Sequence, residues 1–193
     1  MKMDIDTRTG LLSQAQFVCS PNCDDRPENT DIDLIVIHNI SLPPGEFGGP
    51  WITDLFTNRL TPDAHPYFAT IHQMEVSSHV LIRRDGAITQ YVPFHKRAWH
   101  AGQSEYQGRT RCNDFSIGIE LEGSDDTPFT ESQYHALSGL IRTLTTSYPN
   151  LSLAHITGHS DIAPGRKTDP GPCFDWQKLH NLLNQGDEDN ALT

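Results

Sequence analysis

The stretch DLIVIHNI, residues Asp33–Ile40, decides the fold. Leu34–Ile37 within it is an unbroken aliphatic run, which predicts a central strand buried on both faces. A second strand is predicted at Ser116–Gly123, SIGIELEG, where apolar residues alternate strictly with others. Because side chains alternate across a strand, Glu120 and Glu122 lie together on the face opposite the apolar core.

Strand and helix signals alternate along the rest of the chain. A hairpin is predicted over His79–Pro93, where two β-rich runs flank Asp85-Gly86, a strong turn signal. A helix is predicted over Thr130–Tyr148, with Thr130 as its N-cap. Further predicted elements are helices at Trp51–Asn58, Ala64–Met74 and Asp175–Leu183, and a short strand at His155–His159. This interleaving predicts an α/β (α+β) fold, a single domain with a mixed central sheet flanked by helices.

The predicted domain covers residues 34–185. Residues 1–33 carry three basic against seven acidic residues, and we expect an irregular N-terminal arm packed on the domain. Residues 186–193 are expected to form an acidic, disordered tail. No repeat or linker divides the chain.

Composition excludes several classes of function. The chain has 193 residues and a formal net charge of −11, which argues against nucleic-acid or anionic-membrane partners. Its longest aliphatic run is far shorter than the roughly 20 residues that span a bilayer. The N-terminus lacks the apolar stretch of a secretory signal, so we expect a cytoplasmic protein. Four cysteines, too few for a disulfide framework, are expected to be reduced thiols.

Two histidines and one carboxylate suggest a metal site. His38 follows the aliphatic run at the carboxyl end of the predicted strand, and His159 ends the predicted strand that begins at His155. Asp169 lies ten residues further, in a Gly/Pro-rich loop. Two nitrogens and one oxygen form a ligand set typical of catalytic zinc, with a fourth position open. His155 and His159 share the spacing of a zinc-protease helix, but Ile156 stands where that motif requires Glu.

Spacing alone does not assign the roles of the other candidate residues. Glu120 or Glu122 could be a general base, or both could be solvated. Lys167 could stabilise an oxyanion near Asp169, or lie on the surface. The sequence does not rank five further histidines: His65, His72, His79, His95 and His100.

A basic segment and a loop suggest how a substrate binds. Six basic residues stand against two acidic ones over Arg83–Arg111, a pattern suited to an anionic small substrate. Trp99 offers a flat apolar surface suited to a sugar face, although tryptophan is more often a core residue. Ser41–Pro50, rich in Gly and Pro, follows His38 and could act as a closing lid or be a static turn.

Four stretches together resemble the zinc N-acetylmuramoyl-L-alanine amidases, whose fold is shared with peptidoglycan recognition proteins and phage lysozyme-type amidases. They are VIHNISLPPGEFGGPW, HVLIRRDGAITQYVPFHKRAWHAG, RCNDFSIGIELEG and TGHSDIAPGRKTDPGP. The resemblance covers roughly residues 17–180 and is closest to the enzymes of cell-wall recycling. It implies zinc-dependent hydrolysis of the amide between 1,6-anhydro-N-acetylmuramic acid and L-alanine in soluble, anionic muropeptides.

The resemblance also assigns roles by motif. It implies one zinc per chain on His38, His159 and Asp169, with Glu120 as acid/base and Lys167 stabilising the oxyanion. Candidate substrate contacts are Asn39, Trp99 and Arg111, of which Arg111 is the best candidate for the peptide carboxylates. We expect a monomer. The alternatives are a module that binds muropeptides without cutting them, against which the complete ligand set argues, and an amidase of polymeric wall, against which the missing signal argues.

Overall fold

The central strand lies where the aliphatic run predicts it, at Leu34–Ile40. The computed structural model describes residues 3–190. Their strands are β1 (Ile5–Asp6), β2 (Leu11–Leu12), β3 (Gln16–Phe17), β4 (Cys23–Asp25), β5 (Leu34–Ile40), β6 (Val80–Ile82), β7 (Ile88–Gln90), β8 (Lys96–Ala98), β9 (Glu105–Tyr106), β10 (Arg109–Thr110), β11 (Ser116–Glu122) and β12 (Ile156–Gly158). Their helices are α1 (Trp51–Phe56), α2 (Phe68–Ile71), α3 (Glu131–Ser147), α4 (His159–Ile162) and α5 (Trp176–Asn190), with 3₁₀ turns at Pro62–Ala64 and Cys112–Asp114.

The main sheet of the described chain has six strands, in the order β12-β5-β11-β6-β7-β3. Strands β12, β5, β11 and β6 run parallel, whereas β7 is antiparallel to β6 and pairs in parallel with β3. The sheet is therefore mixed, and the predicted fold class is confirmed. The register places Glu120 beside His38 and Gly158 beside Ile37. The carboxyl ends of β5, β11 and β12 therefore meet at one edge of the sheet.

The alternation of side chains divides the core between two faces of the sheet. Ile35 and Ile37 of β5 pack in one buried cluster with apolar residues of β11, α3 and α5. Leu34 and Val36 belong to a second cluster on the other face. His38 continues the series of Leu34 and Val36, so its side chain lies on the face opposite the two long helices.

The predicted hairpin and long helix are confirmed. Strands β6 and β7 pair antiparallel, with Gly86 at φ +88° in the turn between them. Thr130 caps α3: its hydroxyl accepts from the Gln133 amide, and the Gln133 side chain accepts from the Thr130 amide. This reciprocal pairing satisfies two backbone donors that the first turn of a helix leaves free.

The helix predicted over Ala64–Met74 is wrong in extent. The structure has a 3₁₀ turn ending at Ala64 and then only the single helical turn α2. Pro66 explains the break, because a residue before proline avoids the helical region, and His65 is extended at φ −158° and ψ 142°. The strand predicted at His155–His159 is likewise shorter, since His159 begins α4.

The two ends of the chain contain more regular structure than expected. Residues 3–33 contribute four short strands: β1 pairs with β2, β3 joins the edge of the main sheet, and β4 pairs with β8. Ile5 and Leu12 of this segment are buried in the main core. Helix α5 continues to Asn190 and so includes backbone of the predicted tail; residues 191–193 lie outside the described residues.

Candidate active site

Three side chains from separate elements meet at the carboxyl edge of the sheet. His38 lies on β5, His159 is the first residue of α4, and Asp169 lies in the loop after α4. The His38 Nδ1 atom is 3.0 Å from His159 Nδ1 and 3.0 Å from Asp169 Oδ2, and His159 Nδ1 is 3.1 Å from Asp169 Oδ2. Each residue thus offers one ligand atom to the same small space.

Hydrogen bonds alone do not account for this triangle of atoms. The His159 Nε2 atom lies 3.2 Å from the carbonyl oxygen of Ala101, which can only accept, so Nε2 carries a proton. The Nδ1 atom of a neutral His159 then has a lone pair, and it faces a carboxylate oxygen, which also has only lone pairs. A cation between these atoms removes the repulsion, and two nitrogens with one oxygen suit zinc. The residues therefore fit the metal that the resemblance implies.

Burial and these contacts control the ionisation of the cluster. Burial lowers the pKa of His38 to about 4, against the opposing effect of Asp169. Burial by itself would raise the pKa of Asp169, but its contacts with the His159 and His38 rings outweigh that effect and hold the pKa well below the usual range. A neutral His38 beside an ionised Asp169 is the protonation state that binds a divalent cation.

Glu120 lies on β11 directly beside His38 in the register. Its side chain is buried, and its Oε2 atom has no hydrogen-bond partner among the described residues. Burial raises the pKa of Glu120 well above its usual value; the Asp169 charge adds to this effect, and Lys167 opposes it. A carboxyl group whose ionised form is disfavoured in this way is suited both to accept and to donate a proton in a reaction.

Glu122 has a different environment, although it shares a strand face with Glu120. Its carboxylate is buried, pairs with Arg83 at 2.9 Å and accepts hydrogen bonds from the backbone amides of Gly48 and Arg84 at 2.7 and 3.2 Å. The two carboxylates are therefore not solvated: Glu120 lines the cavity beside His38, His159 and Asp169, whereas Glu122 anchors the loop that follows β5.

A cavity of about 340 Å³ opens beside the cluster. Asn39, Trp99, Glu120 and Lys167 line it together with the three clustered residues. Its other wall is largely apolar and is formed by α1, α2 and neighbouring segments, including Leu42, Leu55, Ile71, Met74 and Val76. The cavity thus joins a polar, titratable end to an apolar wall suited to a ligand with methyl groups or a sugar face.

Of the three residues predicted to contact substrate, Asn39 and Trp99 line this cavity and Arg111 does not. Asn39 donates its side-chain amide hydrogens to Asp125 Oδ1 at 2.7 Å and to the Pro170 carbonyl at 3.0 Å. Its side-chain oxygen can therefore accept a hydrogen bond from a ligand. The Trp99 indole nitrogen donates to Asp24 at 3.2 Å. Arg111 lines a neighbouring depression rather than this cavity, and its backbone is left-handed at φ 62°.

The basic segment is largely neutralised by acidic residues. Its pairs, several with the N-terminal segment, are Arg83–Glu122, Lys96–Asp25, Arg97–Asp24, Arg97–Asp114, Arg109–Asp33 and Arg111–Asp114. These bases therefore hold the N-terminal segment and nearby loops in place. The interpretation of the whole segment as an anion-binding surface is not supported.

Sequence reasoning did not rank His100, the one of the five further histidines that lines the cavity. Its ring stands 2.9 Å from the other nitrogen of His38. A signal was present in Gly118, a glycine inside a strand, since such a residue often marks a close approach by another group. His155 is half-buried against the Tyr106 ring and takes no part in the cluster.

Within residues 3–190, none of the helices combines the length and the apolar character needed to cross a membrane.

Comparisons with known proteins agree with this site. Residues 28–172 match the family model described as N-acetylmuramoyl-L-alanine amidase. The 1,6-anhydro-N-acetylmuramyl-L-alanine amidase AmpD of Enterobacter cloacae is 62% identical over 174 residues, covering 90% of this chain and 92% of the relative. AmpD of Escherichia coli K12 is 58% identical over 176 residues, covering 91% of this chain and 96% of the relative.

Solved structures give the same result. A crystal structure of an AmpD derivative superposes with a TM-score of 0.89 at 58% identity, over 93% of this chain and 98% of that chain. The amidase AmiD from E. coli, solved with the substrate anhydro-N-acetylmuramic acid-L-Ala-D-gamma-Glu-L-Lys, superposes at 0.58 and 32% identity, over 81% and 60% of the two chains. This chain is an amidase, and it belongs to the N-acetylmuramoyl-L-alanine amidase family.

Proposed function

We propose that this chain is a zinc-dependent amidase that cleaves the bond between 1,6-anhydro-N-acetylmuramic acid and L-alanine in soluble muropeptides, as part of cell-wall recycling. The observation that carries the zinc site is the triangle of His38, His159 and Asp169, whose lone pairs face one another without enough protons to bridge them. The names of the relatives at about 60% identity support the substrate.

The metal would be held by His38 Nδ1, His159 Nδ1 and a carboxylate oxygen of Asp169. When bound, zinc supplies a Lewis acid that polarises the scissile carbonyl and makes water more acidic. The protein keeps the two rings fixed: the Ala101 carbonyl accepts from His159 Nε2, and His100 contacts His38 Nε2.

Glu120 performs the proton transfers in this proposal. Its unpartnered, buried Oε2 takes a proton from the attacking water and then delivers one to the departing alanine nitrogen. The pKa raised by burial suits both steps, because the carboxyl must be ionised for the first and protonated for the second. Lys167 lines the same cavity and places a positive charge near the oxygen that becomes negative.

Substrate contacts follow from the walls of the cavity. Trp99, held by Asp24, presents its ring to the sugar, and the free amide oxygen of Asn39 accepts from the substrate. Arg111, in the neighbouring depression, is proposed for the carboxylates of the stem peptide beyond the scissile bond, although Asp114 competes for it at 3.1 Å. A monomer and a cytoplasmic location stay predictions, which sedimentation and cell fractionation test.

The test combines metal analysis with product analysis. Purified wild-type protein is expected to hold one zinc per chain, and His38→Ala and Asp169→Ala are expected to lose it. His155→Ala, which removes a half-buried histidine outside the cluster, is the matched control. Full zinc content in either ligand variant would refute the assignment.

Mass spectrometry of digests defines the reaction. A soluble anhydro-muropeptide should yield the free anhydro sugar and a peptide that begins with L-alanine. Comparable turnover of intact peptidoglycan would contradict the proposed restriction to soluble fragments.

A further inference from the structure

His100 contacts the proposed zinc ligand His38 on the side of the ring that faces away from the zinc position. Its Nδ1 atom is 2.9 Å from His38 Nε2, the nitrogen that faces away from His159 and Asp169. Its Nε2 atom is 3.2 Å from the hydroxyl of Ser116. The side chains of Ser116, His100 and His38 thus form one hydrogen-bonded row that ends at the proposed zinc position.

Binding of a cation by His38 sets the direction of these hydrogen bonds. If Nδ1 of a neutral His38 binds a cation, its proton is on Nε2, so Nε2 donates and His100 Nδ1 accepts. The proton of His100 is then on its own Nε2, and the Ser116 hydroxyl accepts it. The opposite direction would place the His38 proton on Nδ1 and block the metal position. With a cation on His38 Nδ1, the row is therefore compatible with one arrangement of protons only.

Gly118 leaves space for the His100 ring, and hydrogen bonds hold the backbone of His100 in place. An added methyl group on Gly118 would lie 2.4 Å from Cγ and 2.6 Å from Nδ1 of the His100 ring, far inside van der Waals contact. The backbone amides of His100 and Ala101 both donate to Asn113 Oδ1, at 3.1 and 2.8 Å. Since the Ala101 carbonyl accepts from His159, this two-residue segment contacts both histidines of the cluster.

We propose that His100 is a positioning residue that holds His38 in the orientation and tautomer required for zinc, and that Gly118 is needed because it makes room for the His100 ring. This inference rests on the proposed function, because it takes His38 as a zinc ligand. Groups that orient a metal-binding histidine typically contribute 10- to 100-fold to metal affinity or activity.

The experiment measures zinc affinity by competition with a chromophoric chelator, on full-length protein stripped of metal and reloaded. His100→Phe keeps a ring in the space but removes the acceptor, and its affinity is expected to fall about 10- to 100-fold. His100→Asn, whose side-chain oxygen can replace Nδ1 as acceptor, should recover most of that loss. Gly118→Ala retains every hydrogen-bonding side chain yet displaces the ring, so it should fall with His100→Phe.

The matched control is His135→Phe, which replaces an exposed histidine on α3 and should bind zinc as the wild type does. Nitrogen NMR of the histidine rings adds a readout that needs no activity. In zinc-loaded wild-type protein the His38 Nε2 proton should exchange slowly with solvent, as a hydrogen-bonded donor does, and in His100→Phe it should exchange faster because it has lost its acceptor. Thermal unfolding checks that each variant is folded; if His100→Phe is not, His100→Asn and Gly118→Ala carry the comparison.

Two kinds of failure are distinguishable. If wild-type protein binds no zinc, or His38→Ala binds it fully, the proposed metal site is wrong. If wild-type protein binds zinc through His38, but His100→Phe and Gly118→Ala bind it as tightly, the positioning role alone is overturned. Unchanged exchange of the His38 Nε2 proton in zinc-loaded His100→Phe would overturn it as well.

Discussion

Two carboxylates on one strand face should respond to substitution in opposite ways. Glu122 is an anchor: it is 2% exposed, pairs with Arg83 and accepts from the amide of Gly48 in the loop after β5. Glu120 is buried too, but its Oε2 atom has no hydrogen-bond partner among the described residues. We expect Glu122→Ala to lower stability and Glu120→Gln to lower activity.

The size of the first effect follows from the contacts of Arg83. Removal of one partner from a buried ion pair costs about 3–5 kcal/mol, because the other charge stays buried without compensation. Arg83 retains one fifth of its side-chain exposure and a hydrogen bond to the Gly49 carbonyl at 2.9 Å, which favours the lower end, about 3 kcal/mol. For a chain of this length, that loss lowers Tm by roughly 6–12 °C.

For Glu120→Gln we expect a large loss of activity without a loss of stability. Burial raises the pKa of Glu120 above its unfolded value, so its ionised form opposes folding at neutral pH, and stability is recovered as the pH falls below the folded pKa. Glutamine removes this charge with little change of shape. Metal-free Glu120→Gln should therefore be at least as stable as wild type at pH 7, while activity falls by roughly 10²–10⁴.

Urea unfolding of the metal-free proteins, with amide hydrolysis measured on the zinc-loaded forms, tests both expectations. Arg83→Met combined with Glu122→Ala is the control, because removal of both charges should recover part of the stability lost in the single variant. The reasoning would be refuted by equal losses of stability in Glu120→Gln and Glu122→Ala, or by full activity in Glu120→Gln.

Three further outcomes are expected. Thr130→Ala removes the N-cap of α3 and should cost about 1 kcal/mol in urea unfolding; no measurable loss would contradict the capping role. Hydrogen bonds from Arg97 lower the pKa of Asp24 below 3.8, so its contribution to stability is present above that pH and is lost as the pH falls through the folded pKa. Asp24→Ala should therefore flatten the stability profile below about pH 4. It should also raise KM more than it lowers kcat, because the Trp99 indole N–H loses its acceptor; an unchanged acid profile and KM would refute this. Amides of residues 45–49 should gain protection from hydrogen exchange when an anhydro-muropeptide binds, above all Phe47 and Gly49, because the amides of Gly45, Glu46 and Gly48 are already hydrogen-bonded; unchanged exchange at saturation would exclude a closing lid.

The elements predicted correctly were those whose signal is local. Leu34–Ile37 is an unbroken apolar run at the start of β5, Ser116–Glu122 alternates strictly over its whole length, and Asp85-Gly86 forms the turn that this dipeptide favours. The positions of His38 and His159 at one sheet edge follow once the strands are known to be parallel. The helix predicted over Ala64–Met74 is too long because that prediction takes no account of Pro66 within it.

The parts that sequence could not supply depend on distant partners. The alternation of β11 puts Glu120 and Glu122 on one face. Only the tertiary structure shows that Glu122 pairs with Arg83 and that Glu120 lines the cavity. The basic segment looked like a binding surface because the acids that neutralise it come from elsewhere in the chain, as with Arg97 and Asp24. No short-range pattern reports such pairings.

The polar face of β11 explains why the site has its form. Four alternate residues lie on it, and each has a separate role. Ser116 ends the hydrogen-bonded row, Gly118 makes room for His100, Glu120 faces the cavity, and Glu122 anchors the loop. A shift of one residue in register would replace all four with apolar side chains and would turn the carboxylates towards α3 and α5. The apolar residues between them form the main core, so the packing that stabilises the sheet also fixes the register of the site. The stability of the fold and the geometry of the site therefore depend on the two faces of the same strand.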